Sequence, residues 1–207
     1  MFNWLTLAAQ DGDPEAQAKL GYCYKRGLGV KANPDLAFSW FQIAAKAEYP
    51  PALVYLGDCY RYGDGTSADF EKAFENYYRA AELGDPVGAF NLAICYSEGI
   101  GISASAEEAC QWMQRAANQE LAFAQIQLGL YLQKGYGCVK KDFKEAYNLF
   151  KKAAAQNEAL AMLELAHCYL NGKGTEKNLQ KAKYWLSKAV QNGNDEAAKL
   201  YVEHFGN

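Results

Sequence analysis

The chain has 207 residues, of which 50% are hydrophobic and 22% are charged, a composition typical of a folded, water-exposed protein. Its net charge is −3 at pH 7 and no basic stripe stands out, which disfavours nucleic acid as a partner. The longest uncharged run, Leu121 to Gln133, is shorter than the roughly 20 residues that cross a bilayer, so we expect no membrane span.

The first segment, Met1 to Gln10, is hydrophobic but lacks the basic start of a signal peptide, since the first lysine is Lys19. It resembles a stretch 36 residues later, because its apolar residues fall on matching positions: Trp4, Leu5, Ala8 and Ala9 match Trp40, Phe41, Ala44 and Ala45. We predict a capping helix over residues 1–12. We also expect a cytoplasmic location, or a periplasmic or secreted one if the N-terminus has been trimmed.

The next pattern occurs five times, at steps of 36, 36, 36 and 37 residues. A leucine followed by a small residue marks each copy: Leu20-Gly21, Leu56-Gly57, Leu92-Ala93, Leu128-Gly129 and Leu165-Ala166. A small residue precedes each marker leucine by four positions, and an aromatic residue or a leucine follows it by four. A Gly-x-Gly and a second apolar set complete the copy. Because spacings of three, four and seven place residues on one helix stripe, we predict helix A, a glycine turn and helix B.

The repeats are bounded by helix-start signals such as Asp13-Pro14, Asn33-Pro34 and the capping-box pair Ser105 and Glu108. One helix pair cannot bury its own apolar stripe, so neighbouring pairs are expected to stack. We predict an all-α fold, a right-handed α/α superhelix (solenoid) of five helix–turn–helix repeats with half-repeat caps. The chain is then a single repeat domain over 1–207, with repeats at 13–48, 49–84, 85–120, 121–157 and 158–193 and a C-terminal capping helix at 194–207.

The pattern A-x-x-x-L-G-x-x-Y-x-x-G-x-G followed by A-x-x-W-F-x-x-A-A resembles the Sel-one-like repeat family, which is related to tetratricopeptide repeats. The resemblance covers nearly the whole chain and implies an adaptor with a protein partner. Family members include immunity proteins that neutralise secreted toxins, and signalling or host-interaction adaptors. Cysteine-rich relatives have been associated with β-lactam binding.

Six cysteines raise the question of disulfides. Four of them follow a marker leucine by three positions: Cys23, Cys59, Cys95 and Cys168. Packed helices lie roughly 8–10 Å apart, too far for the roughly 7 Å limit between bridged Cα atoms, so these four should be free and should indicate a reducing compartment. The cysteine-rich branch of the family pairs two cysteines per repeat, which this chain does not reproduce. Cys110 and Cys138 fall outside the pattern, and a bridge involving them is left open.

No catalytic or metal-binding set stands out. The Gly-x-Gly pairs end helices instead of following strands, so they predict turns and not phosphate loops. His167 and Cys168 are neighbours on one helix and point to different faces, which disfavours a nucleophile–base pair. We expect no catalytic residue, no metal and no cofactor.

In tetratricopeptide-like solenoids helix A lines the groove, so the resemblance places candidate contacts two and five positions before and after each marker leucine. The predicted partner-binding residues are Tyr22, Lys25, Val54, Asp58, Arg61, Phe90, Ile94, Phe123, Ile126, Leu130, Leu163 and His167. They could simply pack between adjacent A helices. Alternatively, Phe90 to Leu170 could form an exposed apolar groove for an amphipathic helix or an extended segment.

We predict a non-enzymatic, monomeric scaffold that binds another protein in this groove. The favoured form is an immunity or inhibitor protein that neutralises a toxin. The alternative is a signalling or host-interaction adaptor, and a β-lactam-binding or hydrolytic enzyme is less favoured.

Overall fold

The computed structural model describes residues 2–206, with the side chain of Phe2 left out. These residues form twelve α-helices and no strand, so the predicted all-α class is confirmed. The helices are α1 (Phe2–Gln10), α2 (Pro14–Arg26), α3 (Pro34–Lys46), α4 (Pro50–Tyr62), α5 (Phe70–Glu82), α6 (Pro86–Glu98), α7 (Ala106–Asn118), α8 (Ala122–Lys134), α9 (Phe143–Ala155), α10 (Ala159–Asn171), α11 (Leu179–Gln191) and α12 (Asp195–Phe205).

Helices α2, α4, α6, α8 and α10 are the five predicted A helices, and α3, α5, α7, α9 and α11 are the B helices. They lie in two compact units, unit 1 (Met1–Ser105) and unit 2 (Ala106–Asn207), which are described separately below. The single domain predicted over 1–207 stays a prediction. Within the described residues no helix is long and apolar enough to cross a membrane.

Side-chain caps fix where the helices begin. The Asn33 side chain accepts a hydrogen bond from the Leu36 N–H at 3.0 Å, and Asp69 accepts one from the Lys72 N–H at 3.0 Å. Asp142 accepts from both Lys144 and Glu145 at 2.9 Å. Because the first N–H groups of a helix have no partner within it, these caps stabilise the starts of α3, α5 and α9.

The two glycines of each turn have different tasks, as the turn after α4 shows. Gly63 ends α4 with a φ of 74°, a left-handed conformation that glycine adopts without strain. Gly65 also has a positive φ, but a Cβ atom added there would overlap the carbonyl oxygen of Pro34 in the preceding repeat. The first glycine therefore stops the helix, and the second lets the turn pack against the neighbouring repeat.

The core of each hairpin depends on the small residue after the marker leucine. A Cβ atom added at Gly57 would lie 2.6 Å from the Tyr77 ring, and one at Gly129 would lie 2.6 Å from the Phe150 ring. Both rings are fully buried. The glycines thus let helix A approach the large residue of helix B, as the sequence pattern predicts.

Unit 1 holds its repeats together with edge-to-face aromatic pairs. Phe38 of α3 meets Tyr60 of α4 with ring centroids 5.5 Å apart, and Phe74 of α5 meets Tyr96 of α6 at 5.4 Å. In unit 2, Tyr147 of α9 meets Tyr169 of α10 in the same way at 5.7 Å. Such pairs stabilise by about 0.5–1.5 kcal/mol beyond burial, so they act as a recurring link between repeats.

The corresponding link between α7 and the next repeat is a disulfide between Cys110 and Cys138, with Cα atoms 5.6 Å apart. Cys110 takes the place of Phe38 and Phe74, and Leu132 replaces the tyrosine of the aromatic pair. The bridge that the sequence left open is therefore present, whereas Cys23, Cys59, Cys95 and Cys168 are free as predicted. Disulfides persist in oxidising compartments, so this one does not support the predicted reducing compartment.

Candidate protein-binding surface

The candidate surface lies on the A helices, at positions two and five before and after the marker leucine, and is called the A-helix face below. At the position two before the leucine, three of the predicted contacts are not available to a partner. Val54, Ile126 and Leu163 are only 6%, 2% and 1% exposed. These three residues were predicted as groove contacts, and that prediction is corrected. They pack inside their own units, in line with the alternative that these side chains serve packing instead of binding.

The other predicted apolar contacts keep part of their surface accessible. In unit 1, Tyr22 is exposed and Phe90 and Ile94 are half-buried. In unit 2, Phe123 is 55% exposed, and Leu130 and His167 are half-buried. Each unit therefore keeps apolar side chains at its surface, although fewer than the sequence predicted. The continuous groove predicted from Phe90 to Leu170 stays a prediction, because its residues belong to two different units.

Two basic residues among the predicted partner contacts of unit 1 are tied to residues of the next repeat. Lys25 forms an ion pair with Asp64 at 3.0 Å, and Arg61 forms one with Glu98 at 3.4 Å. These pairs are partly exposed and contribute modestly to stability. They fix the positions of the two cations more than they offer free charge to a partner.

Asp58 occupies a half-buried position between these cations. Its carboxylate accepts a hydrogen bond from the Tyr77 hydroxyl at 2.7 Å. Burial raises the pKa of the Asp58 carboxyl above its usual value, although the Tyr77 hydrogen bond and the charges of Lys25 and Arg61 lower it. Asp58 therefore joins helix A to the buried ring of helix B.

A cavity of about 620 Å³ in unit 1 is formed by α1, α2 and the start of α4. Its lining is mainly aromatic and apolar, and its volume lies within the range of ligand-binding clefts, about 300–1,000 Å³. The lining includes the four rings Trp4, Tyr22, Tyr49 and Tyr55 and the small residues Ala18 and Cys23.

Helix α1 is held in place so that Trp4 faces this cavity. Leu5 packs against the cluster of Ala9, Ala16 and Leu20. The buried Gln17 side chain donates a hydrogen bond to the Ala9 carbonyl at 3.1 Å. Because these contacts fix α1 against α2, the 72% exposed Trp4 ring lies over the cavity opening instead of within the core.

The opposite wall of the cavity rests on stacked rings. Tyr55 stacks on the fully buried Phe41 with centroids 4.9 Å apart, and Tyr22 meets Tyr55 at 5.7 Å. Phe41 in turn fills the space left by Gly21, where an added Cβ would lie 2.6 Å from the ring. The exposed rings are therefore backed by the core, which limits their freedom to collapse into the cavity.

Charged groups of both signs border the cavity, since Glu15 and Lys19 both line it. Glu15 forms an ion pair with Lys19 at 2.5 Å on the rim. Burial raises the pKa of the Tyr49 hydroxyl, and the negative charges of Glu15, Asp13 and Asp85 raise it further. The positive charge of Lys19 lowers this pKa. Unit 1, residues 1–105, carries 8 Lys or Arg and 13 Asp or Glu. Unit 2, residues 106–207, carries 13 Lys or Arg and 11 Asp or Glu.

The groove prediction contained Tyr22 but missed Trp4, Tyr49 and Tyr55. Tyr49 is the residue before α4 and Tyr55 directly precedes a marker leucine, so neither falls on the four positions considered. The available signal was a density of aromatic residues in the first 60 positions, combined with small residues at Ala18 and Cys23.

The side chains offer little for covalent or metal chemistry. Burial raises the pKa of the Cys59 and Cys95 thiols to about 11 and that of Cys168 to about 12, so these thiols stay protonated at neutral pH. Within residues 2–206 no group of three or more His, Cys, Asp or Glu side chains could hold a metal ion.

The fold and its small-residue contacts define a class, the α-helical repeat proteins. Five segments match the Sel1 repeat, at residues 14–49, 50–85, 86–121, 122–158 and 159–194. The chain therefore belongs to the Sel1 repeat family, whose members are generally repeat scaffolds for protein–protein interaction. Among curated proteins, no match is found.

Solved structures show the same relationship. A Sel1 repeat protein from Oxalobacter formigenes is 33% identical over 92% of this chain and 75% of that chain, with a TM-score of 0.83. The protein c5321, a protective antigen of uropathogenic Escherichia coli, is 30% identical with a TM-score of 0.83; the match covers 98% of this chain but 43% of that one. The immunity protein PA5088 from Pseudomonas aeruginosa is 24% identical over 88% of this chain and 68% of that chain, with a TM-score of 0.61, and shares the fold.

Proposed function

We propose that this chain is a scaffold that binds a partner protein through the A-helix face of unit 1, with the aromatic cavity as its anchor point. The observation that carries the proposal is the cavity of about 620 Å³, in which the Trp4 and Tyr22 rings are exposed and the half-buried Tyr55 ring stacks on the buried Phe41. Aromatic side chains in well-packed pockets dominate the energy of protein interfaces. Exposed residues such as Tyr22 and the half-buried Phe90 and Ile94 extend the contact along the unit.

In its finer form, the proposal is that the bound partner is inhibited, as a toxin is by an immunity protein. The support for this form is the fold shared with the immunity protein PA5088. A signalling adaptor would use the same surface but leave its partner active. The two forms therefore differ in the effect of binding and not in its location.

The test of the scaffold role is a variant that fills the cavity without changing its charge. In unit 2 the positions of Ala18 and Cys23 are occupied by Ile126 and Tyr131, so the double substitution Ala18→Ile and Cys23→Tyr uses side chains that this repeat already accommodates. Proteins captured by the wild-type chain from its native host are identified, purified and titrated against both forms. We expect the variant to lose at least about tenfold in affinity.

The control is Tyr184→Ala, which removes an exposed ring of unit 2 and should leave the affinity unchanged. Circular dichroism and urea unfolding confirm that both variants fold. A partner that binds the filled variant as tightly as the wild-type chain would refute the proposed site. For the inhibitory form, the purified partner is assayed for toxic activity with one equivalent of the chain, and full residual activity contradicts an immunity role.

A further inference from the structure

We propose that the cavity of unit 1 receives an arginine side chain from a basic segment of the partner protein. The proposal rests on the proposed function, because it names the chemistry of the segment that the scaffold would bind. It depends on three observations: the set of rings, the sign of the surrounding charge, and the size of the cavity.

The rings provide faces that attract a cation. Trp4, Tyr22, Tyr49 and Tyr55 all line the cavity, and Tyr22 and Tyr55 are only 5.7 Å apart between centroids. The faces of Trp and Tyr rings attract a guanidinium group placed within about 6 Å of the centroid. Arginine also stacks flat on such rings and is less strongly hydrated than lysine, so it loses less on entering an apolar site.

The chain itself shows that this chemistry suits its rings. The guanidinium of Arg115 lies 4.2 Å from the centroid of Trp112, and that of Arg61 lies 5.4 Å from the Tyr62 ring. Trp112 occupies the same repeat position in α7 that Trp4 occupies in α1. The tryptophan of α7 already has an arginine against it, whereas the Trp4 ring of α1 faces a cavity.

The surrounding charge favours a basic segment over an acidic one. Asp13, Glu15 and Asp85 act on the Tyr49 hydroxyl as negative charges against Lys19, which lines the cavity. At the Tyr55 hydroxyl, Asp58 and Lys25 act with opposite signs. Unit 1 as a whole has five more acidic than basic residues. This field attracts a basic segment during association and is weakened by salt. A segment with an aliphatic anchor would use the rings but not the charge.

The size of the cavity fits an arginine flanked by apolar residues. Its volume of about 620 Å³ exceeds that of a single side chain, and its lining beyond the rings includes Leu5 and Pro51. The predicted occupant is therefore a short segment with one arginine between two aliphatic residues.

The experiment uses the full chain and three fluorescein-labelled pentapeptides of the sequence glycine-leucine-X-leucine-glycine, with X as arginine, citrulline or leucine. Citrulline has the shape of arginine without its charge. We expect the arginine peptide to bind at least about tenfold more tightly than the citrulline peptide at low salt, by fluorescence anisotropy. Raising the ionic strength from about 50 mM to about 500 mM should remove most of this difference.

Variants then place the effect at the rings. Trp4→Ala and Tyr55→Ala should each weaken the arginine peptide by about fivefold or more, and Tyr184→Ala should not. Equal or tighter binding of the citrulline or leucine peptide would overturn the proposal, as would no binding of the arginine peptide below about 1 mM. If the natural partner still depends on the cavity in that case, only the arginine assignment fails. If the partner ignores the cavity-filling variant, the proposed function fails as well.

Discussion

Unit 1 and unit 2 are built from the same repeat, yet their A-helix faces differ in one place. Ala18 and Cys23 line the cavity of unit 1, whereas the same positions of unit 2 hold Ile126 and Tyr131, both of which are buried. The helices have the same length and the turns the same glycines in both units. At these two positions α8 therefore carries larger, buried side chains than α2, although the two helices have the same length.

The comparison also separates the repeat positions that carry equivalent residues in both units from the positions that differ. Buried contacts such as Gly57 against Tyr77, and Gly129 against Phe150, are equivalent in the two units, because each sets a glycine of helix A against a ring of helix B. The residue before the marker leucine is Tyr55 in unit 1 and Glu164 in the last repeat of unit 2. Binding specificity in such a scaffold can then change without loss of the fold where the varied positions lie outside the buried contacts.

The largest expected effect concerns the packed face of unit 2. Leu163→Ala removes a fully buried side chain and should lower the free energy of unfolding by about 2–5 kcal/mol. Leu160→Ala, one turn earlier on α10 and 42% exposed, is the matched control and should stay within about 0.5 kcal/mol. Urea denaturation measures both. Equal losses of stability for the two variants would mean that the positions two and five before the marker leucine do not differ in burial.

The row that Leu163 represents could have been recognised from the sequence. The residues two positions before the five marker leucines are all apolar, namely Ala18, Val54, Phe90, Ile126 and Leu163. A position that never carries a polar residue indicates burial, whereas the row five positions before the leucine includes Glu15. The helix limits, caps and turns follow from local rules and were predictable. The cavity was not, because it depends on side chains from three helices whose sequence positions span about 50 residues.

The disulfide shows the same limit of sequence reasoning. Cys110 and Cys138 meet because the turn after α8 packs on the start of α7, a contact between repeats that Gly137 makes possible. The spacing of the two cysteines does not reveal it. Once the recurring ring pair of Phe38 and Tyr60 is known, the cysteine in place of the phenylalanine at position 110 indicates a different link between repeats.

A second prediction tests whether this bridge stabilises unit 2 alone. Reduction with a phosphine should lower the stability of unit 2 by about 2–4 kcal/mol, since the bridge closes a loop between residues 28 apart in sequence. Hydrogen exchange should show faster exchange in α7 and α8 and no change in α2 and α3. The double variant Cys110→Ser and Cys138→Ser is the control and should not respond to the reductant. A uniform change across both units would contradict a local role.

A third prediction tests the contact that both units share. Gly57→Leu and Gly129→Leu should each cost about 1–3 kcal/mol, because the added side chain would collide with the buried ring of helix B. Thermal unfolding monitored by circular dichroism gives the comparison. Unchanged thermal stability of either variant would refute the assigned contact, and a large effect in one unit alone would show that the two hairpins pack differently.

The smallest expected effect is a pH dependence centred on Asp58. Burial raises its pKa in the folded chain above the unfolded value, so the native state binds the proton first as the pH falls. The wild-type chain should therefore gain stability relative to Asp58→Asn as the pH drops through the folded pKa, and the gain should level off below the unfolded value of about 4. Glu164 has its pKa raised by burial too, so Glu164→Gln should show the same sign in unit 2. Urea unfolding of the wild-type chain and each variant between about pH 7 and pH 3.5 measures the difference in stability. If the wild-type chain instead lost stability relative to Asp58→Asn on acidification, Tyr77, Lys25 and Arg61 would stabilise the Asp58 carboxylate more than burial destabilises it.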